Sequence, residues 1–187
     1  MQKYKRCMVG FLVILAVMIS GSYQQAVCAD TAAELDRDVD AALDKLYSRE
    51  PAAKALAAEA KGILVFPGIV KGGLIIGAQY GEGALRVKGK TTGYYRTVAA
   101  SYGLQAGVQK FGYALFLMTE SALTYLEKSE GWEIGVGPSI VIVDEGIAKS
   151  LTTTTVKSDI YAFFFDQKGL MAGLGLQGTK ITKIEKH

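Results

Sequence analysis

The sequence predicts an α+β fold in which N-terminal helices pack on a strongly curved or barrel-like, mainly antiparallel β-sheet. Two observations lead to this prediction. Up to residue 61, apolar residues recur with helical spacing, and from residue 63 onward the period changes to two. In addition, nearly all of the 22 glycines lie between Gly62 and Gly178. Because glycine inside a strand favours bends and close backbone approach, a glycine-rich sheet is expected to curve.

The helical part, residues 30–61, starts with a helix predicted over residues 31–48. Thr31 and Glu34 have the spacing of a capping box. Pro51 is suited to open a second helix, which Gly62 would end. The first helix carries one apolar stripe, made of Leu35, Val39, Leu43 and Leu46. Its aspartates are expected in solvent, where they would repel an anionic bilayer: Asp36, Asp38, Asp40 and Asp44.

Residues 62–187 are predicted to be β-rich with short helices. Hairpin turns are expected at Gly81-Glu82-Gly83 and Lys88-Gly89-Lys90. A helix capped by Thr119 is expected over residues 120–128, and residues 144–151 are a further helix candidate. The predicted strands are 63–66, 74–80, 84–88, 94–102, 104–110, 113–118, 133–144, 159–165, 170–177 and 180–184.

Residues 1–29 are typical of a signal peptide. A basic start is followed by the apolar stretch 8–19, which is shorter than the roughly 20 residues that span a bilayer. Val27-Cys28-Ala29 resembles a cleavage site. An uncleaved anchor and a lipid-modified Cys28 are the alternatives, and Gln25 and Val27 depart from the lipoprotein pattern. We therefore expect export to the periplasm or the outer membrane, with residues 30–187 as one domain.

Removal of this segment changes the charge balance of the chain. The whole chain has 21 Lys and Arg and 18 Asp and Glu, and the segment contains three of the basic residues and none of the acidic ones. The mature chain would therefore have equal numbers of basic and acidic residues. A formally neutral domain has no global attraction to nucleic acid, which is not an expected partner. Cys7 and Cys28 both lie in the segment, so no disulfide is expected in the mature protein.

Several blocks of the sequence match a known signature in the same order. The C-terminal block contains Asp159, the aromatic residues 163–165, Lys168-Gly169-Leu170, Ala172-Gly173, and Leu176 and Gly178. Looser matches are Ala60-Lys61-Gly62-Ile63, Val70-Lys71-Gly72-Gly73, Gly81 with Gly83, and residues 132–138. The chain after residue 30 thereby resembles the SYLF domain, also called the Ysc84-type actin-binding domain. The resemblance implies a lipid-binding module whose eukaryotic members are associated with phosphoinositides and actin, and whose bacterial members are exported.

The residue inventory argues against an enzyme. His187 is the single histidine and the last residue, so His/Cys zinc sites and Ser-His-Asp or Cys-His triads are not expected. A Ser–Lys or carboxylate pair stays open on inventory alone. Residues 173–178 fit the GxGxxG pattern, but they lead into an alternating strand rather than a helix, so no dinucleotide site is predicted. We predict no catalytic residue, no metal and no cofactor.

Basic residues and tyrosines are interleaved between residues 71 and 96, with Glu82 the only acid there. Cations with aromatic side chains suit contact with anionic headgroups, although an ordinary solvated hairpin is the alternative. Lys168 matches the lysine of the family signature. The predicted lipid contacts are Lys71, Arg86, Lys88, Lys90, Arg96 and Lys168, and the predicted interfacial aromatic residues are Tyr80, Tyr94 and Tyr95. The strand faces that carry only glycine are expected to open an apolar groove.

The sequence therefore predicts a non-enzymatic module of the bacterial cell envelope that binds anionic or phosphoinositide-like lipids. Its expected partner is an anionic lipid or a membrane surface. Actin binding, which the resemblance implies for eukaryotic members, is not expected of an exported protein. The alternative is a structural or assembly protein of the envelope that acts through protein–protein contacts. The sequence leaves the oligomeric state open.

Overall fold

The computed structural model describes residues 31–73, 76–102, 107–143, 147–148, 151, 157–168, 176 and 178–187. They belong to one compact unit, Thr31–His187. The helices are α1 (Ala32–Arg49), α2 (Pro51–Ala57) and α3 (Glu120–Lys128). The strands are β1 (Gly62–Gly73), β2 (Ile76–Val87), β3 (Lys90–Tyr102), β4 (Gly107–Leu117), β5 (Trp132–Glu133), β6 (Ile140–Val143), β7 (Ile160–Lys168) and β8 (Lys180–Ile184). The signal peptide predicted for residues 1–29 lies outside the described residues and stays a prediction.

The strands form one curled, barrel-like sheet in the order β5-β8-β3-β2-β1-β4-β7-β6. All neighbouring pairs are antiparallel except β6 and β7, which are parallel. The predicted α+β class is confirmed, with helices at the N-terminus and a mainly antiparallel sheet. Its two edge strands, β5 and β6, are joined by residues 134–139 alone. At about 3.5 Å per extended residue, this link limits the distance between the two edges to at most about 25 Å.

Helix α1 has the predicted capping box, in which the Thr31 hydroxyl accepts from the Glu34 amide and the Glu34 carboxylate accepts from the Thr31 amide. These bonds satisfy backbone donors that the first turn leaves unpaired. The apolar stripe of α1 is buried as predicted. Helix α2 has Pro51 in its first turn but ends at Ala57, earlier than the glycine predicted to end it.

Each face of the sheet has its own core. On the outer face, α1 and α2 cover apolar residues of the central strands, such as Val65 and Phe116. On the inner face, Leu64 and Leu115 pack with other strand residues and with Leu123 of α3. Consecutive residues of β1 and β4 are therefore buried on both faces, which explains their nearly continuous apolar runs.

Several predicted boundaries are wrong, among them the end of the strand predicted over 63–66, which continues as β1 to Gly73. Strand β2 runs straight through Gly81 and Gly83, where a hairpin turn was expected, because both glycines lie against β1 rather than in a turn. Strand β4 likewise joins the two strands predicted over 104–110 and 113–118 from Gly107 onward. The strand predicted over 133–144 is interrupted, because Gly135 and Gly137 adopt positive φ. The other predicted hairpin is confirmed: Lys88 and Gly89 both have positive φ, as a type I′ turn requires.

A carboxylate holds the link between the sheet edges to the helix that follows β4. Asp159 accepts hydrogen bonds from the Ser139 amide (3.0 Å), the Ser139 hydroxyl (2.8 Å) and the Thr119 hydroxyl (3.1 Å). These donors, the Ser139 amide foremost, lower the pKa of Asp159 below its usual value.

Of the predicted helix 144–151 only residues 147, 148 and 151 are described, and the first two are helical. The predicted strand 170–177 lies outside the described residues except for Leu176.

Candidate functional site

The outer face of the sheet is left uncovered beyond α1. There, four large apolar side chains are exposed: Val70 (50 %), Tyr80 (45 %), Val98 (43 %) and Val108 (74 %). We refer to these four residues as the exposed sheet face. They come from β1, β2, β3 and β4, which are neighbours in the sheet. An aligned group of exposed apolar side chains is more informative than scattered ones, because grouped apolar surface marks interaction sites.

The strand register places three of these residues in one row across the sheet. Val70 pairs with Tyr80, and Tyr80 pairs with Val98. The row continues at its two ends into cations, because Val70 pairs with Lys110 on β4 and Val98 pairs with Lys180 on β8. Both lysines are exposed. The row thus has an apolar centre with a lysine on each side, and Lys180 in turn pairs with the exposed Glu133 on β5.

The neighbouring row carries an acid that is neutralised locally. Glu82 accepts a hydrogen bond from the Tyr80 hydroxyl (2.6 Å), and its other oxygen lies 2.6 Å from the Lys186 ammonium. Burial raises the pKa of Glu82, but the bonds from Lys186 and Tyr80 outweigh burial and hold it below its usual value. Glu82 is therefore ionised and paired, and the exposed guanidinium of Arg96 sits opposite it in the register. Lys110 and Arg96 therefore lie beside the exposed sheet face without an acid among the described residues that cancels them locally, whereas Lys180 has Glu133 opposite it in the register.

Arg86, predicted to contact lipid, is turned towards α1 instead. Its side chain is 11 % exposed, and its guanidinium lies 2.6 Å from Asp40 Oδ1, 2.9 Å from the Asp36 carbonyl and 2.7 Å from the Thr91 hydroxyl. Asp36 also accepts from the Tyr94 hydroxyl at 3.1 Å. The aspartates of α1 expected in solvent thus include two that tie this helix to the sheet.

The three predicted interfacial tyrosines have different surroundings. Tyr80 belongs to the exposed sheet face. Tyr94 is half-buried and bonded to Asp36. Tyr95 is 1 % exposed in the inner core, where burial raises its pKa to about 12. Since strand residues alternate between faces, Tyr94 and Tyr95 had to point in opposite directions.

The remaining predicted cations do not form one group. Lys88 and Lys90 are exposed at the hairpin turn, roughly 25 Å from Tyr80 at about 3.3 Å per strand residue. Lys71 is half-buried, and as the neighbour of Val70 along β1 it faces the other side of the sheet. The backbone of Lys168 pairs with Lys110, in the row of the exposed sheet face, but its side chain lies outside the described part of the chain.

The predicted apolar groove stays a prediction, because Gly173 and Gly175, the glycine face that led to it, lie outside the described residues. Two other glycines inside the sheet, Gly83 and Gly112, face no free space. A Cβ at Gly83 would lie 2.2 Å from the Val65 carbonyl oxygen, and one at Gly112 would lie 2.3 Å from the Phe165 ring. Both positions are filled by neighbouring strands or side chains. Glycine at these positions lets strands approach closely rather than leaving space for a ligand.

Sequence reasoning missed Val70, Val98, Val108, Lys110 and Lys180. Their alternation along strands was visible in the sequence, but alternation does not tell which part of a face a helix will cover.

Comparison with known protein families supports the resemblance found in the sequence. Residues 98–186 match the model of the family Ysc84, described as "Las17-binding protein actin regulator". The predicted SYLF/Ysc84 resemblance is confirmed over these residues. The SYLF family is a binding-module family, associated with lipid and actin binding in eukaryotes, and is not a known enzyme family. No curated protein matches the chain.

The SYLF match includes strands β4 to β8 and helix α3. It therefore also includes four residues of the site: Val98, Val108, Lys110 and Lys180. Val70 and Tyr80 precede it. Among the residues that the structure describes, no three His, Cys, Asp or Glu side chains are grouped as a metal site would require. None of the described helices is long and apolar enough to cross a membrane.

Proposed function

We propose that this SYLF protein binds anionic lipid surfaces through its exposed sheet face and performs no chemical reaction. The observation that carries the proposal is the row Lys110–Val70–Tyr80–Val98–Lys180, in which an apolar centre is flanked by cations. Apolar side chains with a tyrosine suit the headgroup level of a bilayer, and lysines beside them suit its phosphates. The partner class agrees with the lipid association of the family.

The charges of the site determine which kind of membrane the protein should prefer. Lys110 and Arg96 each contribute about 1 kcal/mol near an anionic surface, before screening by salt, and Lys180 contributes less because Glu133 lies opposite it. The first two contributions together amount to roughly thirtyfold in affinity. Glu82 does not cancel them, because it is paired with Lys186. A neutral membrane offers the valines a similar apolar environment but no such attraction, so we expect a preference for anionic lipid.

The acidic exterior of α1 limits where a membrane can approach. Asp38 and Asp44 are exposed on this helix, and α1 covers the same face of the sheet on which the four apolar residues lie. Their charge repels an anionic surface. Docking is therefore proposed at the end of the face away from α1, without a part for Lys88, Lys90 or Arg86. We further propose that the protein is exported and acts in the cell envelope, as the targeting segment predicted for residues 1–29 implies.

Flotation of the purified protein with anionic and with neutral vesicles tests the proposal. Val98→Asp and Lys110→Ala should each weaken binding to anionic vesicles, the second by about fivefold. Lys88→Ala is the matched control, because it removes an equally exposed lysine outside the site. The apolar stretch 8–19, if retained, would bind vesicles of either charge, so the comparison is between variants. Equal losses for Lys88→Ala and Lys110→Ala would refute the proposed surface.

The alternative, an assembly protein of the envelope, uses the same surface differently. Grouped apolar residues on neighbouring strands are also suited to pack against another protein. Such a protein would self-associate in the absence of lipid, and Val98→Asp would then change its mass in solution without any effect of vesicle charge. Sedimentation of the wild-type protein and of this variant separates the two functions.

A further inference from the structure

A second apolar feature lies beside the link that joins the two edge strands of the sheet. A pocket of about 430 Å³ is formed there between β6, the link 134–139 and Leu176. We call it the seam pocket. It is lined by Ile134, Gly135, Gly137, Pro138, Ser139, Ile140, Ile142 and Leu176.

The seam pocket has three isoleucines and one leucine in its lining, and none of the lining side chains that the structure describes is ionisable. Ile134 and Leu176 belong to the buried inner core, and Ile140 packs against that core. Ile142 is 42 % exposed and lies towards solvent. The single side-chain hydroxyl, that of Ser139, is already bonded to Asp159. The remaining polar groups of the lining belong to the backbone. A charged ligand would find no opposite charge inside this pocket and would lose its hydration.

The walls of the pocket are held in place by contacts of the link. The Trp132 indole donates to the Val136 carbonyl at 3.0 Å, and the Ile134 amide donates to the Thr179 carbonyl at 2.8 Å. Ser139 is fixed by Asp159. Gly137 has a φ of 93° and lies against the Tyr125 ring, where a Cβ would be 2.7 Å from the ring carbon. The pocket is therefore formed before any ligand arrives, as small-molecule sites usually are.

We propose that the seam pocket binds one acyl chain of a monomeric amphiphile, whose uncharged or zwitterionic head stays at the backbone of the link. Its volume lies within the range of about 300–1,000 Å³ typical of ligand pockets. An extended single chain suits a pocket beside the edge strand β6 that is lined by isoleucine and leucine and continuous with the core. This binding differs from docking on a membrane surface, since it takes up one molecule, and it does not depend on the exposed sheet face.

The test is a titration of the purified protein with lauroyl lysophosphatidylcholine below its micelle concentration. Trp132 is the single tryptophan, and its bond to Val136 makes its emission a reporter of the link. We expect a saturable change in emission and a complex of one lipid per protein in native mass spectrometry. Each methylene removed from the chain should weaken binding roughly fourfold, because each buried methylene contributes to transfer from water. No saturation, or affinity independent of chain length, would overturn the proposal.

Two variants of one residue identify the site. Ile142→Glu places a charge in the wall, and Ile142→Phe fills the space without a charge; both should weaken binding of the lysolipid at least tenfold. Far-UV circular dichroism checks that each variant is folded. If Ile142→Glu does not fold, the lysolipid affinity of Ile142→Phe tests the site. Unchanged affinity in a folded variant would refute the seam pocket.

The variant Val98→Asp keeps this proposal separate from the proposed function. It should lose binding to anionic vesicles and keep the lysolipid, whereas Ile142→Phe should show the reverse. If vesicle binding fails in the wild-type protein while the lysolipid binds, the membrane function is wrong and the seam pocket stands. If Val98→Asp abolishes lysolipid binding, the lipid is bound at the sheet face and the seam pocket is refuted.

Discussion

Replacement of Arg86 by methionine should destabilise the protein without weakening its binding to membranes. Methionine retains an apolar stem of similar length, so the change removes the charge and its hydrogen bonds rather than the packing. The guanidinium bonds the Asp40 carboxylate, the Asp36 carbonyl and the Thr91 hydroxyl, and the side chain is 11 % exposed. The loss leaves two carboxylates of α1 without their buried counter-charge.

The expected size follows from the exposure of the partners. Removing one member of a fully buried ion pair costs about 3–5 kcal/mol. Here Asp40 is 65 % exposed on its side chain and regains water, so the cost is smaller, about 2–3 kcal/mol. For a chain of this size, that corresponds to a decrease in melting temperature of roughly 5–10 °C.

Urea unfolding and vesicle flotation of the same protein give the two readouts. Arg96→Met is the matched control, because Arg96 is exposed on the same side of the sheet, in the row beside Tyr80. It should change the free energy of unfolding by less than about 0.5 kcal/mol and weaken binding to anionic vesicles about fivefold. If Arg86→Met instead unfolds like the wild-type protein and loses vesicle binding, Arg86 contacts lipid and our account of it is wrong.

Three further changes test the packing, the charge and the turn. Gly83→Ala should lower the free energy of unfolding in urea by about 3 kcal/mol or more, because its Cβ would lie 2.2 Å from the Val65 carbonyl oxygen. The control Gly68→Ala, whose Cβ would lie 3.4 Å from the end of a lysine side chain, should lower it by less than about 1 kcal/mol. Equal losses of stability would refute the close approach. The pKa of Glu82 is lowered in the folded protein, so its contribution to stability is complete above the unfolded pKa of about 4.3 and is lost as the pH falls through the folded value. Unfolding measured from pH 6 to about pH 3 should show this loss in the wild-type protein and a smaller one in Glu82→Gln; identical pH profiles would contradict the assignment. Lys88→Asn creates an Asn-Gly type I′ turn and should stabilise the protein by about 0.5 kcal/mol, with vesicle binding unchanged; a destabilised variant would contradict the turn type.

Local signals predicted the parts of this fold that depend on neighbouring residues. The capping box of Thr31 and Glu34, the turn at Lys88 and Gly89 and the cap at Thr119 were all visible in the sequence. Each is decided within four residues of chain, so no knowledge of tertiary contacts was needed. Strand β8, Lys180–Ile184, was predicted with its exact bounds for the same reason, since it alternates cleanly.

Features decided by distant residues were not predictable in this way. Gly81 and Gly83 look like turn residues, but they serve a close approach of β2 to β1. Arg86 was grouped with the hairpin lysines because its partners on α1 lie far away in the chain. Val70 and Val98 become exposed because α1 and α2 are too short to cover the whole outer face, and strand alternation alone cannot reveal that.

The depth of a fluorophore in the bilayer tests the central claim most directly. Cys7 and Cys28 are the only cysteines, so a chain with both replaced by serine accepts a single polarity-sensitive label at Val98→Cys or, as the control, at Lys88→Cys. With anionic vesicles, the label at residue 98 should shift to shorter emission wavelengths, and the label at residue 88 should not. A shift at residue 88 alone would mean that the hairpin turn, rather than the exposed sheet face, meets the membrane.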